Sequence, residues 1–352
     1  MTAHSCRGLR SITDLTLMPY HNRKVVLEAF GEPGAAATLK ANSIAAPGTG
    51  EILVSTAYAP VNPADLNILE GRYGQLPALP AIVGTEGAGK VIAVGPGVSD
   101  IIPGDKVFYL SRTDCWQDYV TCAAHQVIKL PTELPEEASC MLKINPATAW
   151  LLLHQDSKPD PESWIVQNAA NSGVGQAVIA IARTRSQPTI NFVRRRELIK
   201  PLLQAGGNIV VMDNDEGKAT ALDAIGGDPV VLALNAVGGE SALRIMSMLS
   251  EGGIHITYGA MSKRPLKVPN SFLIFKDLQI RGLWLTQWLN SAKYAEIAKV
   301  YRKLAGLMLQ GKLQQPVDSV FPPEEISAAI TKAAGGGRSG KVLLDFRTKG
   351  NE

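Results

Sequence analysis

From Pro146 to Trp288 the chain alternates between two kinds of segment. WIVQNA reads as a strand and VGQAVIAIARTR as a helix; TINFV is a strand, and RELIKPLLQAG a helix interrupted or kinked near Pro201. NIVVMD, PVVLALNAVG, GGIHITYGA and LQIRGLWL are further strands, with ESALRIMSMLS a helix among them. NPATAWLLLH opens the series as a helix with Pro146 near its start, where a missing N–H is tolerated. The strands are apolar almost throughout rather than at every second residue, so both faces of their sheet must be covered. Strands of that kind, joined by helices, make a parallel doubly wound sheet with right-handed crossovers.

Residues 24–145 have another cadence. VVLEAF, EILVSTAYAP, AGKVIAVG, DKVFYL and HQVIKLP are short apolar or alternating runs, separated by the turn signals GEPG, PGTG, GPGV and IPGD. That is the rhythm of a small barrel or sandwich. After Trp288 come a long helix (AKYAEIAKVYRKLAGLMLQGK), a second helix, a glycine turn and a last strand that resembles the first section and returns to it. A chain of 352 residues is too long for one ordinary core. The expected division is a β-rich domain from 1–144 and 289–352 around a nucleotide-type domain at 145–288.

Bulk properties exclude several classes. A net charge of +3 is too small to point to nucleic acid. Cys6, Cys115, Cys122 and Cys140 form no CxxC pair, so reduced structural thiols are expected rather than a metal knuckle or a disulfide framework. No apolar run is long enough to span a membrane. The first 23 residues lack the apolar core of a secretory signal; a ragged bacterial N-terminus, hence a cytoplasmic protein, is favoured over a short organelle leader, with a mitochondrial location if the source is eukaryotic.

In VQNAANSGVGQAVIAIA, Gly173-Val174-Gly175 stands where a strand hands over to a helix. Bare glycines let the backbone approach a pyrophosphate, and the helix start supplies free N–H groups and the positive end of its dipole. Asn171 and Ser172 depart from the strict G-x-G-x-x-G pattern. About 20 residues on, where an NAD-binding fold places an acid for the ribose hydroxyls, stand Arg194, Arg195 and Arg196. Guanidinium groups pair with a 2′-phosphate that an acid would repel, so the expected cofactor is NADPH.

A β-rich domain ahead of a dinucleotide fold is the plan of the medium-chain dehydrogenase/reductase superfamily, and VNPADL and GTEGAGKVIAVG resemble its N-terminal motifs. The resemblance implies a Rossmann-type doubly wound sheet plus a GroES-like catalytic domain. In zinc-dependent members a Cys falls near Asn62 and a His near Thr85; both are replaced, the four-cysteine lobe is missing, and the five histidines (His4, His21, His125, His154, His255) are widely spread. The expected metal content is therefore none.

GRYGQLPALPAIVGTEG, KINPATAW, QNAANSGVGQAV, ALNAVGG, TYGAMS and IFKDLQIRGLWLTQW narrow the resemblance to the mitochondrial-type 2-enoyl thioester reductases, over about Lys24 to Phe346. That family reduces trans-2-enoyl-CoA or enoyl-acyl-carrier-protein with NADPH. The resemblance implies that Tyr73 is the catalytic proton donor. It implies that Asn145, the turn Asn171, Ser172, Gly173, Val174, Gly175, Gln176, the arginines Arg194 to Arg196, the segments Tyr258, Gly259, Ala260, Met261 and Leu283, Trp284, Leu285, and Lys341 contact the cofactor. The stretch between Ile199 and Val230 looks shorter than in the family, and Thr113–Val120 differs. Trp284, Leu285, Trp288 and Phe272 are candidates for an acyl tunnel, and Lys263, Arg264 and Lys267 for a carrier-phosphate contact. By analogy a homodimer forms through the region around Leu278–Leu285. The alternatives are a quinone or alkenal reductase of the same superfamily and a non-catalytic NADPH-binding protein.

Overall fold

The computed structural model describes residues 20–110, 114–154 and 162–348. The leader question, His4 and Cys6 therefore lie outside the described residues, as does the start of the Thr113–Val120 segment. Two compact units emerge: Met1–Thr132, Val320–Gly335 and Leu343–Glu352 form one; Glu133–Ser319 and Gly336–Val342 form the other.

The first unit contains β1 (Tyr20–Leu27), α1 (Pro33–Ala36), β2 (Ala37–Ile44), β3 (Glu51–Pro60), α2 (Pro63–Leu69), β4 (Ala81–Ile82), β5 (Ala88–Val94), β6 (Lys106–Tyr109), β7 (Tyr119–Ala123) and β8 (Val127–Lys129). β3 is its spine. Antiparallel β5 takes one edge of it, and β7 takes the other along Glu51–Ser55. Pairing on both edges explains why eight of its ten residues are buried, including Thr56, whose hydroxyl is satisfied by Tyr109 Oη at 3.0 Å.

The second unit contains α3 (Glu136–Cys140), α4 (Asn145–His154), β9 (Trp164–Gln167), α5 (Gly173–Arg183), β10 (Thr189–Val193), α6 (Ile199–Gln204), β11 (Ile209–Met212), α7 (Asp215–Ile225), β12 (Val230–Asn235), α8 (Gly239–Ser247), β13 (Ile254–Thr257), α9 (Asn270–Ile274), β14 (Gln279–Gly282), α10 (Leu285–Ser291) and α11 (Tyr294–Leu309). Its six strands are parallel, in the order β11-β10-β9-β12-β13-β14. All five residues of β10 are buried, as a strand covered on both faces requires. Val166, Ile190, Phe192, Ala233, Ile245 and Met246 are fully enclosed in its core; burial of a side chain the size of Phe192 contributes on the order of 1.5–3 kcal/mol. β15 (Val317–Phe321), α12 (Ile326–Ala334) and β16 (Lys341–Asp345) complete the chain. The last strand does return, pairing Leu343–Asp345 with Pro60–Tyr58 of β3.

The helix expected to be interrupted near Pro201 is broken just ahead of it: a 3-10 turn, Arg196–Leu198, gives way to α6 at Ile199, and Pro201 stands in the first turn of α6, where its absent N–H is one that a helix start leaves unpaired anyway. Three details depart from the sequence reading. α7 has no counterpart in the reading; it buries only Gly217, Ala221 and Ile225, too thin a stripe to register as periodicity. Its caps are nonetheless complete, with Asn214 Oδ1 accepting from Gly217 N at 2.8 Å and Gly226 left-handed at its end. β14 stops at Gly282, leaving Leu283 and Trp284 outside the ladder. Finally α11, read as part of the β-rich domain, lies in the second unit, where the buried Tyr301 donates to Lys143 O at 3.0 Å.

Candidate cofactor and substrate site

The strand order turns back between β9 and β12, which lead to opposite halves of the sheet. An open α/β sheet has its binding crevice at such a switch point, beyond the carboxyl ends of the strands. Here those ends are fastened by buried amides. Asn168, just after β9, donates to Asn235 Oδ1 at 2.8 Å and to Ser241 Oγ at 2.9 Å, and accepts from Ala236 N at 2.8 Å. Asn235 accepts from Val237 N and Gly238 N, each at 3.0 Å, and donates to Thr257 Oγ1 at 3.1 Å. Both asparagines are fully buried and bonded among the strand ends and α8, so the rim of the crevice is stiff.

The turn Ala169–Ser172 enters α5 at this rim. Ser172 is the N-cap, its Oγ accepting from Gly175 N at 3.1 Å. Gln176 donates to Asn171 O at 2.9 Å and Gln167 to Gly175 O at 3.0 Å, so both sides of the turn are held. The Tyr258 hydroxyl is buried near the Ser172 side chain with no hydrogen-bond partner among the described residues, and burial pushes its pKa up. The first helical bond is made by Gln176 N, which leaves the N–H groups of Gly173 and Val174 with no partner in the helix. A capped helix start of this kind fits a pyrophosphate. The glycines serve neighbours other than the expected ligand. A Cβ at Gly173 would lie 2.3 Å from Asn145 Nδ2, and one at Gly175 would lie 2.6 Å from Ala170 O. Asn145 in turn donates to Gln315 Oε1 at 3.0 Å, and Gln315 donates to Gly173 O at 3.0 Å.

Arg194 and Arg196 are exposed and Arg195 is half-buried at the carboxyl end of β10, the strand next to β9. The nearest acid, Glu197, pairs with Arg195 at 3.4 Å; an exposed pair of this kind is worth little and is readily exchanged for a phosphate. The acid after the next strand, Asp213, is engaged elsewhere, accepting from Ser241 Oγ at 2.6 Å and pairing with Arg244 at 2.5 Å. The donor set fits a 2′-phosphorylated ribose.

The remaining segments hang on the same strand ends. Tyr258 N donates to Asn235 O, Met261 N to Ala236 O and Leu283 N to Thr257 O, each at 3.0 Å. The second unit therefore brings together Asn145, Asn171–Gln176, Tyr258–Met261 and Leu283–Leu285. Ala260, Met261 and Trp284 are exposed, whereas Leu285 is buried. A cavity of about 160 Å3 opens beside the last segment, lined among others by Leu151, Ile256, Arg281, Leu283, Trp284 and Trp288. Phe272 packs against the sheet's core instead. Of the three basic residues after the turn, Lys267 faces Glu240 at 3.3 Å across an exposed surface. Lys341 is buried, its N–H donating to Pro316 O at 2.8 Å.

Tyr73 belongs to the first unit, half-buried in the bend that follows α2. In that unit the place of the superfamily's metal ligands is filled by hydrogen bonds. Asn62 Nδ2 donates to Glu86 Oε2 at 2.9 Å; Asp65 Oδ1 accepts from Thr85 N at 2.9 Å and Thr85 Oγ1 at 2.8 Å; Asp65 Oδ2 accepts from Asn62 N at 2.8 Å. Among the described residues no three His, Cys, Asp or Glu side chains converge. An amide and a hydroxyl, each already bonded to a carboxylate, do not fit a zinc ion. Asn168, Asp65 and Glu86 fall inside the motifs QNAANSGVGQAV, VNPADL and GTEGAGKVIAVG, and Gln315 falls in none of them; for all four, only the fold shows what the side chain touches.

Two family models match, described as the alcohol dehydrogenase GroES-like domain over residues 48–132 and zinc-binding dehydrogenase over residues 206–344. The chain is 38% identical over 317 residues to the mitochondrial enoyl-acyl-carrier-protein reductase of Xenopus tropicalis, covering 88% of this chain and 91% of that one. It is 34% identical over 337 residues to the protein of the same name from Homo sapiens, covering 94% and 90%. Among solved structures, the mitochondrial 2-enoyl thioester reductase Etr1p/Etr2p heterodimer from Candida tropicalis superposes with a TM-score of 0.84 at 26% identity, covering 93% of this chain and 100% of that one. An Etr1p complex with NADP and crotonyl-CoA superposes equally well. A structure described as a quinone reductase from Bacillus thuringiensis, at 23% identity and TM-score 0.86, shares the fold.

The fold and the crevice define a medium-chain dehydrogenase/reductase, with a Rossmann-type sheet and a GroES-like domain. The chain belongs to the family of mitochondrial-type enoyl-acyl-carrier-protein reductases, oxidoreductases whose cofactor is NADPH.

Proposed function

We propose that this protein reduces the 2,3 double bond of trans-2-enoyl thioesters, carried on CoA or on acyl carrier protein, at the expense of NADPH. One observation carries the reading: relatives named for this activity match at 34–38% identity along roughly nine-tenths of the chain, and the Ser172-capped helix start supports it. NADPH, when bound, supplies the hydride that goes to C3. The Ser172-capped helix start binds the pyrophosphate, Arg194 to Arg196 take the 2′-phosphate, and Asn145 with the segments Tyr258–Met261 and Leu283–Leu285 orient the nicotinamide end. Tyr73 delivers the proton to C2, its phenolic O–H serving as the general acid. Trp284 and Trp288 flank the acyl chain, and Lys341 supports the cofactor from the last strand.

The subunits pair as a homodimer through the region around Leu278–Leu285, whose strand β14 is the outermost of the described sheet. The related yeast assembly is a heterodimer; light scattering at micromolar concentration distinguishes monomer from dimer. The Xenopus and human relatives are named mitochondrial, so that location extends to this chain if its source is eukaryotic, and the bacterial cytoplasmic expectation finds no support in them. Turnover of crotonyl-CoA with NADPH, compared with 1,4-naphthoquinone, decides between thioester and quinone reduction. A preference for the quinone would overturn the proposal, and no NADPH oxidation with either would leave a binding protein.

A further inference from the structure

We propose that Gln315 is a positioning residue of the cofactor site, which fixes how Asn145 faces NADPH. The inference rests on the reading above that Asn145 and the α5 turn contact the cofactor. Gln315 lies beyond α11, about 170 residues from Asn145 and 140 from Gly173. It is 9% exposed, and Asn145 is 6% exposed.

The polarity of this chain of amides is forced. The carbonyl of Gly173 can only accept, so the Gln315 atom 3.0 Å from it must be Nε2. The neighbouring Gln314 carbonyl, 3.3 Å from the same nitrogen, requires the same orientation. Oε1 of Gln315 then faces Asn145, which must answer with its own donor, Nδ2, at 3.0 Å. Asn145 makes no other side-chain hydrogen bond to a described residue, and its Oδ1 is not among the buried oxygens lacking partners. Oδ1 is therefore the atom Asn145 presents to a ligand, and the ligand must offer an N–H or O–H there. The Gly173 carbonyl belongs to the first residue of the phosphate-binding helix. One side chain thus ties an acceptor for the nucleoside end of the cofactor to the helix start that holds its phosphates. Without it the Asn145 amide is free to flip and present a donor.

The test is NADPH affinity, read from the cofactor's fluorescence on the enzyme without substrate, alongside Tm and steady-state constants. Gln315→Met keeps the length and removes both bonds; Gln315→Glu keeps an acceptor for Asn145 but sets a carboxylate oxygen against the Gly173 carbonyl. We expect Kd for NADPH to rise about tenfold in Gln315→Met, and further in Gln315→Glu, as loss of one to two buried hydrogen bonds implies. KM for crotonyl-CoA should stay unchanged. Because Gln315 acts through Asn145, Gln315→Met added to Asn145→Ala should weaken binding little beyond Asn145→Ala alone. An unchanged Kd in Gln315→Met with a lowered Tm, or effects that add fully in the double variant, overturns the inference. An unchanged Kd in Asn145→Ala instead sinks the underlying assignment of Asn145, and this inference with it.

Discussion

The amide of Asn145 occupies the place where a side chain at residue 173 would begin: a Cβ built on Gly173 falls 2.3 Å from Asn145 Nδ2. The first glycine of the turn is thus demanded by a helix nearly thirty residues upstream. Gly173→Ala should push Asn145 and Gln315 off their bonds and raise Kd for NADPH by about tenfold or more, since two buried hydrogen bonds are at stake. The matched control is Gly306→Ala in α11, where nothing lies within 4 Å of the new methyl. There a mid-helix glycine is replaced without a clash, and stability should rise by about 0.5–1 kcal/mol. Fluorescence titration and thermal melts on both variants check the contrast, and equal NADPH affinities would contradict it.

Under the proposed function, cofactor choice rests with Arg194 to Arg196. Arg194→Asp combined with Arg195→Ala should raise KM for NADPH on the order of a hundredfold while changing KM for NADH little, because only the 2′-phosphate loses its charge-assisted bonds. Equal changes for both cofactors would remove the arginines from the site.

Tyr73→Phe should lower kcat for crotonyl-CoA by about 100-fold or more, the range of a lost general acid, with KM for NADPH unchanged. Unaltered turnover would mean that the proton comes from another group.

His255, on β13, is fully buried, and neither ring nitrogen meets a partner outside its own residue among the described residues. Desolvation lowers its pKa from 6.5 to about 4, an effect that contact with its own backbone only partly offsets. The unfolded chain therefore binds a proton that the folded chain refuses between those two values. Stability should be undiminished above pH 6.5 and fall as the pH drops toward 4, by up to roughly 3 kcal/mol from this group. Urea melts across pH 4–7 should show that slope in the unsubstituted protein and a shallower one in His255→Leu; identical slopes would show that His255 is not its source.

Metal removal should leave the enzyme active. Asn62 and Thr85 are held by Glu86 and Asp65, and among the described residues no third His, Cys or carboxylate joins them to complete a zinc site. Dialysis against a chelator should not lower crotonyl-CoA reduction; a loss restored by zinc would overturn the assignment.

Much of this protein was legible because its signals are local. The unbroken apolar runs of β9 to β13 announce a sheet covered on both faces, and TINFV is indeed buried at every position. The step from WIVQ into GVGQAV marks a strand-to-helix turn, and three arginines follow the next strand. Each of these is written within some thirty residues of chain, where periodicity, capping and turn chemistry act. α7 escaped because Gly217, Ala221 and Ile225 make too small an apolar face, although both its caps stand in the sequence.

The sequence by itself determined the class: a parallel doubly wound sheet with a β-rich partner, a strand-to-helix glycine turn at Gly173–Gly175 and a basic segment after β10. The tertiary structure decided what those residues touch. It placed α11 in the nucleotide unit through Tyr301, buried His255 without a partner, and joined Asn145, Gly173 and Gln315 into one hydrogen-bonded chain. The physical reason is separation along the chain. Backbone preference and hydrophobic period act between near neighbours, whereas a hydrogen bond between residues 145 and 315 exists only once the intervening elements have packed and brought the two amides to 3.0 Å.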